Sequence, residues 1–247
     1  MLPLRSAARF EMIAHSPATI APSLGPSFEL IETVAKAGNG LVDLWERSPI
    51  HLDSNEPRTD EIIDILFPGN PFLCCGWSRH RFDTRPRNRW YKLHDLQFIV
   101  PNPMTAPRGL TRQRRLSAHA LRNTGMRLFL NVEFDSDAGN SAKEARLLEK
   151  LASEGRDVRD LCAALLLHLA QKAPLALAVY SGGKSLHGWF YCAGVAEEKL
   201  SRFFQYAVLL GADRMSWTPS QFARMPDGLR DNGRRQTVYF FNPRVVK

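Results

Sequence analysis

The sequence has little cysteine, no long apolar run and, between Ala106 and Val132, no acid at all. Its four cysteines stand at 74, 75, 162 and 192, and none forms a CxxC pair. That spacing argues against a zinc knuckle or a disulfide framework, and a reducing, cytoplasmic compartment is expected. The longest apolar stretch, LCAALLLHLA at 161–170, contains His168 and is too short to span a bilayer, so it predicts a buried helix and no membrane partner. The N-terminus, MLPLRSAARFEMIAHSP, lacks the apolar core of a secretory signal and reads as a loose arm. Repeats and low-complexity tracts are also missing. What is present suffices for a core: 44% of the 247 residues are hydrophobic. The 33 Lys and Arg outnumber the 25 Asp and Glu, and a net charge of +8 favours a polyanionic partner.

Charge and pattern change near residue 125, which divides the chain into 1–125 and 126–247. In the first part, helical patterns over 27–47 and 59–66 stop at the FPGNP segment, where Pro68, Gly69 and Pro71 break any helix. A strand FLCCGW follows. From Ser78 to Lys92 the chain carries Arg79, Arg81, Arg85, Arg87, Arg89 and Lys92 against the single acid Asp83. QFIV at 97–100 predicts another strand. The acid-free window then holds Arg108, Arg112, Arg114, Arg115, Arg122 and Arg127, a density that repels itself unless something anionic lies over it.

The second part predicts a β-α-α-β-β-α-β-β order: strand RLFLNVEFD, a helix from Ser141 with a Ser141/Glu144 capping box, a helix to about Lys172, strands LALAVY and HGWFYCAG, a helix over AEEKLSRFFQYAVLL, and short strands near QFARM and QTVYFF. Hairpins alternating with helical crossovers imply an α+β fold, an antiparallel or mixed sheet with helices on one face.

Three segments carry candidate chemistry. In NVEFDSD, Glu133, Asp135 and Asp137 alternate along a strand; if the strand continues they share one face about 7 Å apart, an acidic row suited to a hard divalent cation such as Mg²⁺ or Mn²⁺. The plain alternative is a strand that ends at Asp135 and leads into a solvated turn. In VYSGGKSLHGWF, Gly182 and Gly183 permit a tight turn that can bring N–H groups against an anion, with Lys184, Ser185 and His187 beside it. It is not a P-loop, because Ala178 stands where the first glycine belongs and a strand follows. A satisfied core histidine remains the alternative for His187. The third segment runs from Asp213 to Lys247. From Arg224 onward it has six basic residues (Arg224, Arg230, Arg234, Arg235, Arg244, Lys247) against Asp227 and Asp231, which suits phosphate contacts or a solvated hairpin.

Together these segments resemble the archaeo-eukaryotic primase superfamily, in particular its bacterial, phage and plasmid primase-polymerases. The resemblance rests on Glu133-Phe134-Asp135 as the acid-x-acid pair ending a strand, Ser185-Leu186-His187 as the small-x-His motif, Asp213 as the later lone acid, and RMPDGLRDNGRRQ as the Arg-x-Pro stretch with its basic hairpin. It covers roughly 127–243 and departs from the commoner pattern in placing Glu first. The resemblance implies a primase-polymerase core: an RRM-like catalytic unit with an N-terminal α/β accessory unit. It further implies that Glu133, Asp135 and Asp213 hold Mg²⁺ or Mn²⁺, with His187 beside them. Ser181, Lys184, Ser185, His187 and Arg224 would take a nucleoside triphosphate, and a single-stranded DNA template would cross Arg79, Arg81, Arg112, Arg114, Arg115, Arg230, Arg234 and Arg235. Phe82, Trp90 and Tyr91 would stack on unpaired bases. Without helicase motifs, a replicative helicase would act in trans. A metal-dependent nuclease and a non-catalytic single-strand-binding module are the rival readings.

Overall fold

The computed structural model describes residues 25–52, 56–137, 139 and 141–246, so the N-terminal arm lies outside the described residues. The chain begins with α1 (Phe28–Ala35), α2 (Leu41–Glu46) and α3 (Thr59–Leu66). Strands β1 (Phe72–Gly76), β2 (Phe82–Pro86) and β3 (Phe98–Ile99) and the hairpin β4 (Gly109–Leu110) and β5 (Leu116–Ser117) follow. Then come β6 (Phe129–Phe134), α4 (Ala142–Ser153), α5 (Val158–Ala170), β7 (Leu175–Tyr180), β8 (Leu186–Tyr191), α6 (Glu197–Leu209), β9 (Ala223–Arg224) and β10 (Val238–Phe241).

Local chemistry sets these boundaries. The helix expected over 27–47 is two helices, because Gly38 sits at φ +76° and Asp43 restarts the chain by accepting the Gly40 N–H at 2.7 Å. Ser141 caps α4 by accepting the Glu144 N–H at 3.1 Å. At the start of α5, Asp157 accepts from the Arg159 N–H, and Asp160 reaches back to the Asp157 N–H at 2.9 Å. Helix α5 buries Leu161 through Leu167 without a break because it lies between the second sheet and the α1–α2 pair.

Two four-stranded antiparallel sheets result, in the orders β2-β1-β3-β9 and β10-β7-β8-β6. On one face of the second sheet, Leu130, Val132, Phe134, Leu186 and Phe190 join the core made with α5 and α6. From its other face, Phe129, Trp189, Leu177 and Val179 pack into a second core with Phe67, Leu73, Trp90 and Ile99 of the first part of the chain. The change of character near residue 125 is not a physical seam. Helices α1 and α2 pack on α5, and β9 leaves the second part to close the first sheet beside β3. The short strand expected near QFARM thus forms, but in the other sheet. Strand β8 is inserted between β6 and β7, the split β-α-β arrangement. The last strand pairs with β7 rather than β6, so only this split portion matches an RRM-like order, and residues 212–213 take the β6 edge instead.

Candidate functional site

The site lies on the face of β6 and β8 that turns toward the first sheet. Antiparallel register sets Glu133 opposite His187, and His187 opposite Val179 of β7. Ala212 bridges Phe134, and the Asp213 N–H donates to the Glu133 carbonyl at 2.9 Å. Four separate segments therefore bring Val179, His187, Glu133 and Asp213 abreast in one row, where cross-strand partners share a face. His187 is 2% exposed. Its Nε2 lies 3.4 Å from Glu133 Oε1 and 3.3 Å from the Ser185 hydroxyl, while its Nδ1 has no hydrogen-bond partner. Burial pushes the imidazole pKa below its ordinary 6.5, the Glu133 carboxylate opposes that shift, and Arg224 adds to it. Burial thus favours the neutral ring.

Cations converge on the same row from the first sheet. Arg224 on β9 pairs with Phe98 on β3, and its guanidinium lies 4.7 Å from the centre of the Phe98 ring. Arg79 reaches that ring at 5.9 Å. Burial and the charge of Arg230 lower the Arg224 pKa, Glu133 raises it, and Arg79 lowers it further. Arg79, Arg224 and Arg230 thus lie close enough to act on one another electrostatically, and such a guanidinium cluster is a natural receptor for a phosphate chain.

The glycine-rich turn is built differently from the expectation. Ser181 is 2% exposed, and its hydroxyl accepts the Gly183 N–H at 3.3 Å and the Ser185 N–H at 3.2 Å. Those two amides therefore face Ser181 and not an anion, and Ser181 shapes the turn. The Tyr180 hydroxyl donates to the Gly183 carbonyl. Gly182 needs its glycine, with φ +71° and room for no side chain beside the Arg235 carbonyl. The basic hairpin lies on this turn, where Arg230 donates to the Ser181 carbonyl at 3.3 Å and Arg234 to the Gly182 carbonyl at 3.4 Å.

The acidic row is shorter than its pattern suggested. Strand β6 ends at Phe134, so Asp135 and Asp137 lie in the following loop, and Lys184 spans them at 3.3 Å and 3.1 Å. The Gly139 N–H and Lys184 hold the Asp137 carboxyl below its ordinary range. Asp213 is exposed and its carboxylate accepts the Met215 N–H at 2.9 Å. Among the described residues no three His, Cys, Asp or Glu side chains already form a metal-holding group. Glu133, Asp135 and Asp213 are nonetheless hard oxygen donors placed near one strand end, the ligand class a divalent cation takes.

The remaining arginines divide by environment. Arg235 is fixed by Asp227, its Nε at 2.5 Å and Nη2 at 2.7 Å, and donates to the Glu56 carbonyl. Arg87, with a 13% exposed side chain, is held by Asp60 and Asp64. Arg127 packs on Trp217. Arg79, Arg81, Arg112, Arg114 and Arg115 are exposed, as is Arg234. Trp90 does not present its ring for stacking: it is 4% exposed and donates its indole N–H to the Leu73 carbonyl. Phe82 is half-buried against His119 and Phe222, and Tyr91 is exposed. Two site residues escaped the sequence pattern. Phe98 looked like any strand apolar residue. Asn131, buried with both amide atoms unpartnered one strand step from Glu133, was legible only as a polar interruption in FLNVEF. Comparison with protein-family models, curated proteins and solved structures finds no match to the chain.

Proposed function

We propose that the chain is a templated nucleotidyltransferase of the primase-polymerase kind, joining nucleoside triphosphates on a single-stranded DNA template. The observation that carries this reading is the row Glu133, His187 and Asp213, assembled from three separated segments and faced by Arg224 and Arg79. A carboxylate edge next to a guanidinium cluster is what transfer of a nucleotidyl group requires: acids near the attacking hydroxyl, cations along the triphosphate.

In the reaction a 3′-hydroxyl releases its proton to solvent as its oxygen bonds to the α-phosphorus, the bond to the bridging oxygen breaks, and pyrophosphate leaves with its electron pair. Glu133, Asp135 and Asp213 are the residues that would hold Mg²⁺ or Mn²⁺. When bound, such a cation lowers the pKa of the hydroxyl and neutralises charge on the phosphates. Arg224 takes the phosphates, with Arg79 sharing its aromatic support on Phe98. Lys184, which bridges Asp135 and Asp137, is the adjacent ammonium available to the leaving pyrophosphate. His187 bridges Glu133 and Ser185, fixing the carboxylate and hydroxyl relative to each other, and Ser181 keeps the turn closed. Arg234 and Arg230 extend the cationic surface from the turn.

The test is extension of a primed or unprimed template with Mg²⁺ or Mn²⁺. Asp135→Ala abolishes incorporation while template affinity stays within about twofold, since an exposed loop side chain rarely changes stability by more than about 0.5 kcal/mol. Absence of incorporation by the wild type with either metal refutes the proposal. One observation favours the non-catalytic single-strand-binding module: Asp135 and Asp137 are engaged by Lys184 and Asp213 by the Met215 N–H. That reading requires nucleotide affinity indifferent to metal. A nuclease would shorten the labelled strand instead of extending it.

A further inference from the structure

The β4–β5 ribbon carries a combination that neither the core nor the site uses. Leu110 and Leu116 are cross-strand partners, so they stand side by side on one face of the ribbon. They are 40% and 69% exposed, and Leu121 just beyond is 54% exposed. Among the described residues the ribbon pairs with no third strand. Arg108, Arg112, Arg114, Arg115 and Arg122 are exposed around the pair, within the window that has no acid. Apolar side chains bracketed by guanidinium groups match the chemistry of a nucleic acid, whose base faces are apolar and whose edges are anionic.

The ribbon is stiff at both ends. At the tip the Thr111 N–H donates to the Arg115 carbonyl at 2.9 Å, and the Arg115 N–H to the Thr111 hydroxyl at 3.2 Å. At the base, buried Asn123 accepts the Ala120 N–H and donates to the carbonyls of Ala106 and Ala118. Thr84 of β2 donates to the same Ala118 carbonyl at 2.7 Å. His119 then stacks on Phe222 at 4.2 Å, Phe222 lies 5.9 Å from Phe98, and Arg224 rests on Phe98. A ladder of rings therefore joins the root of the ribbon to the candidate site.

We propose that this ribbon is a wedge that engages the junction where a duplex opens into single strand. Leu110 and Leu116 stack against the terminal base pair, and Arg112, Arg114 and Arg115 take the phosphates beside it. Two adjacent leucines present a flat apolar surface of the kind that wedges between base steps. This rests on the nucleic-acid partner in the function proposed above, but it concerns binding alone and requires no catalysis.

The experiment measures fluorescence anisotropy of the full chain, without nucleotide or divalent metal, on a labelled single strand and on the same strand half-paired to a complement. The wild type binds the junction about tenfold more tightly, the gain expected of one stacking contact. Leu110→Ser with Leu116→Ser brings the two affinities together while single-strand affinity stays within about twofold, because the phosphate contacts are untouched. Arg112→Ala, Arg114→Ala and Arg115→Ala combined weaken both forms and reduce the salt slope by about two to three. If the double leucine variant shifts the urea midpoint, Leu116→Ser alone repeats the test at the more exposed position. Equal wild-type affinity for the two forms overturns the wedge, as does a leucine variant that keeps the preference. A leucine variant that changes the oligomeric state of the protein alone also overturns it, assigning the leucines to protein contact. Failure of the polymerase reading appears separately, as absent incorporation by a protein that still prefers the junction.

Discussion

Arg235 and its neighbour Arg234 look interchangeable in the sequence, yet the structure gives them opposite duties. The Asp227 side chain is 4% exposed and accepts from Arg235 Nε at 2.5 Å, Arg235 Nη2 at 2.7 Å and the Arg58 N–H at 2.6 Å. Arg235→Ala leaves that carboxylate buried with the Arg58 N–H and without its counter-charge. Breaking a buried pair from one side costs about 3–5 kcal/mol. Because the Arg235 side chain is 28% exposed, solvent screening places the cost at the lower end, about 3 kcal/mol. In a chain of this size that lowers the thermal midpoint by roughly 6–12 °C. Arg234→Ala, at an exposed position, changes stability by less than about 0.5 kcal/mol. Urea titrations of the two variants, with unchanged slope, separate the two outcomes. An Arg235→Ala protein as stable as the wild type, with weakened and less salt-sensitive DNA binding, would refute the reasoning and return Arg235 to the template surface.

Gly188→Ala places a Cβ 2.6 Å from Leu166 Cδ2, so the buried Leu166 side chain must shift, and a loss of about 1–3 kcal/mol is expected by denaturant titration. His119, His168 and His187 all have pKa values lowered from 6.5, chiefly by burial. Each favours the neutral ring in the fold, so their contribution is full above pH 6.5 and declines as pH falls from 6.5 through the lower folded-state values. A thermal midpoint that stays level from pH 7 to about 5 contradicts that assignment. The four cysteines are buried and free, with the Cys74, Cys162 and Cys192 thiols pushed up to about 12. A thiol reagent at pH 8 should therefore leave the native protein unmodified and label all four once urea unfolds it; rapid labelling under native conditions would contradict the buried placement.

Periodicity sufficed for most elements, because α4, α5, α6 and β6 to β8 combine strong patterns with explicit caps such as Ser141 and Asp157. It failed where long-range pairing decides. Nothing local assigns Ala223–Arg224 to the strand beside Phe98, and nothing local sends Val238–Phe241 to β7 instead of β6. The candidate site shows the same division. Glu133 and His187 were legible because strand alternation and a glycine turn are short-range signals. The ion pairs of Arg87 and Arg235 were not, since their acids lie on other elements or across a turn. At Asp135 the alternation in the letters continues one residue past the last ladder pair, so of the two sequence readings the register agrees with the strand that gives way to a turn.

The row running from Val179 through His187 and Glu133 to Asp213 is also a matter of parity. In β6 the odd-numbered residues face the first sheet and the even-numbered ones face the helices, and in β8 His187 and Trp189 keep the same parity. One residue inserted within Phe129–Phe134 would turn Glu133 toward α5 and leave Phe134 facing Arg224. Within the strands even a conservative lengthening erases the site without removing any of its residues.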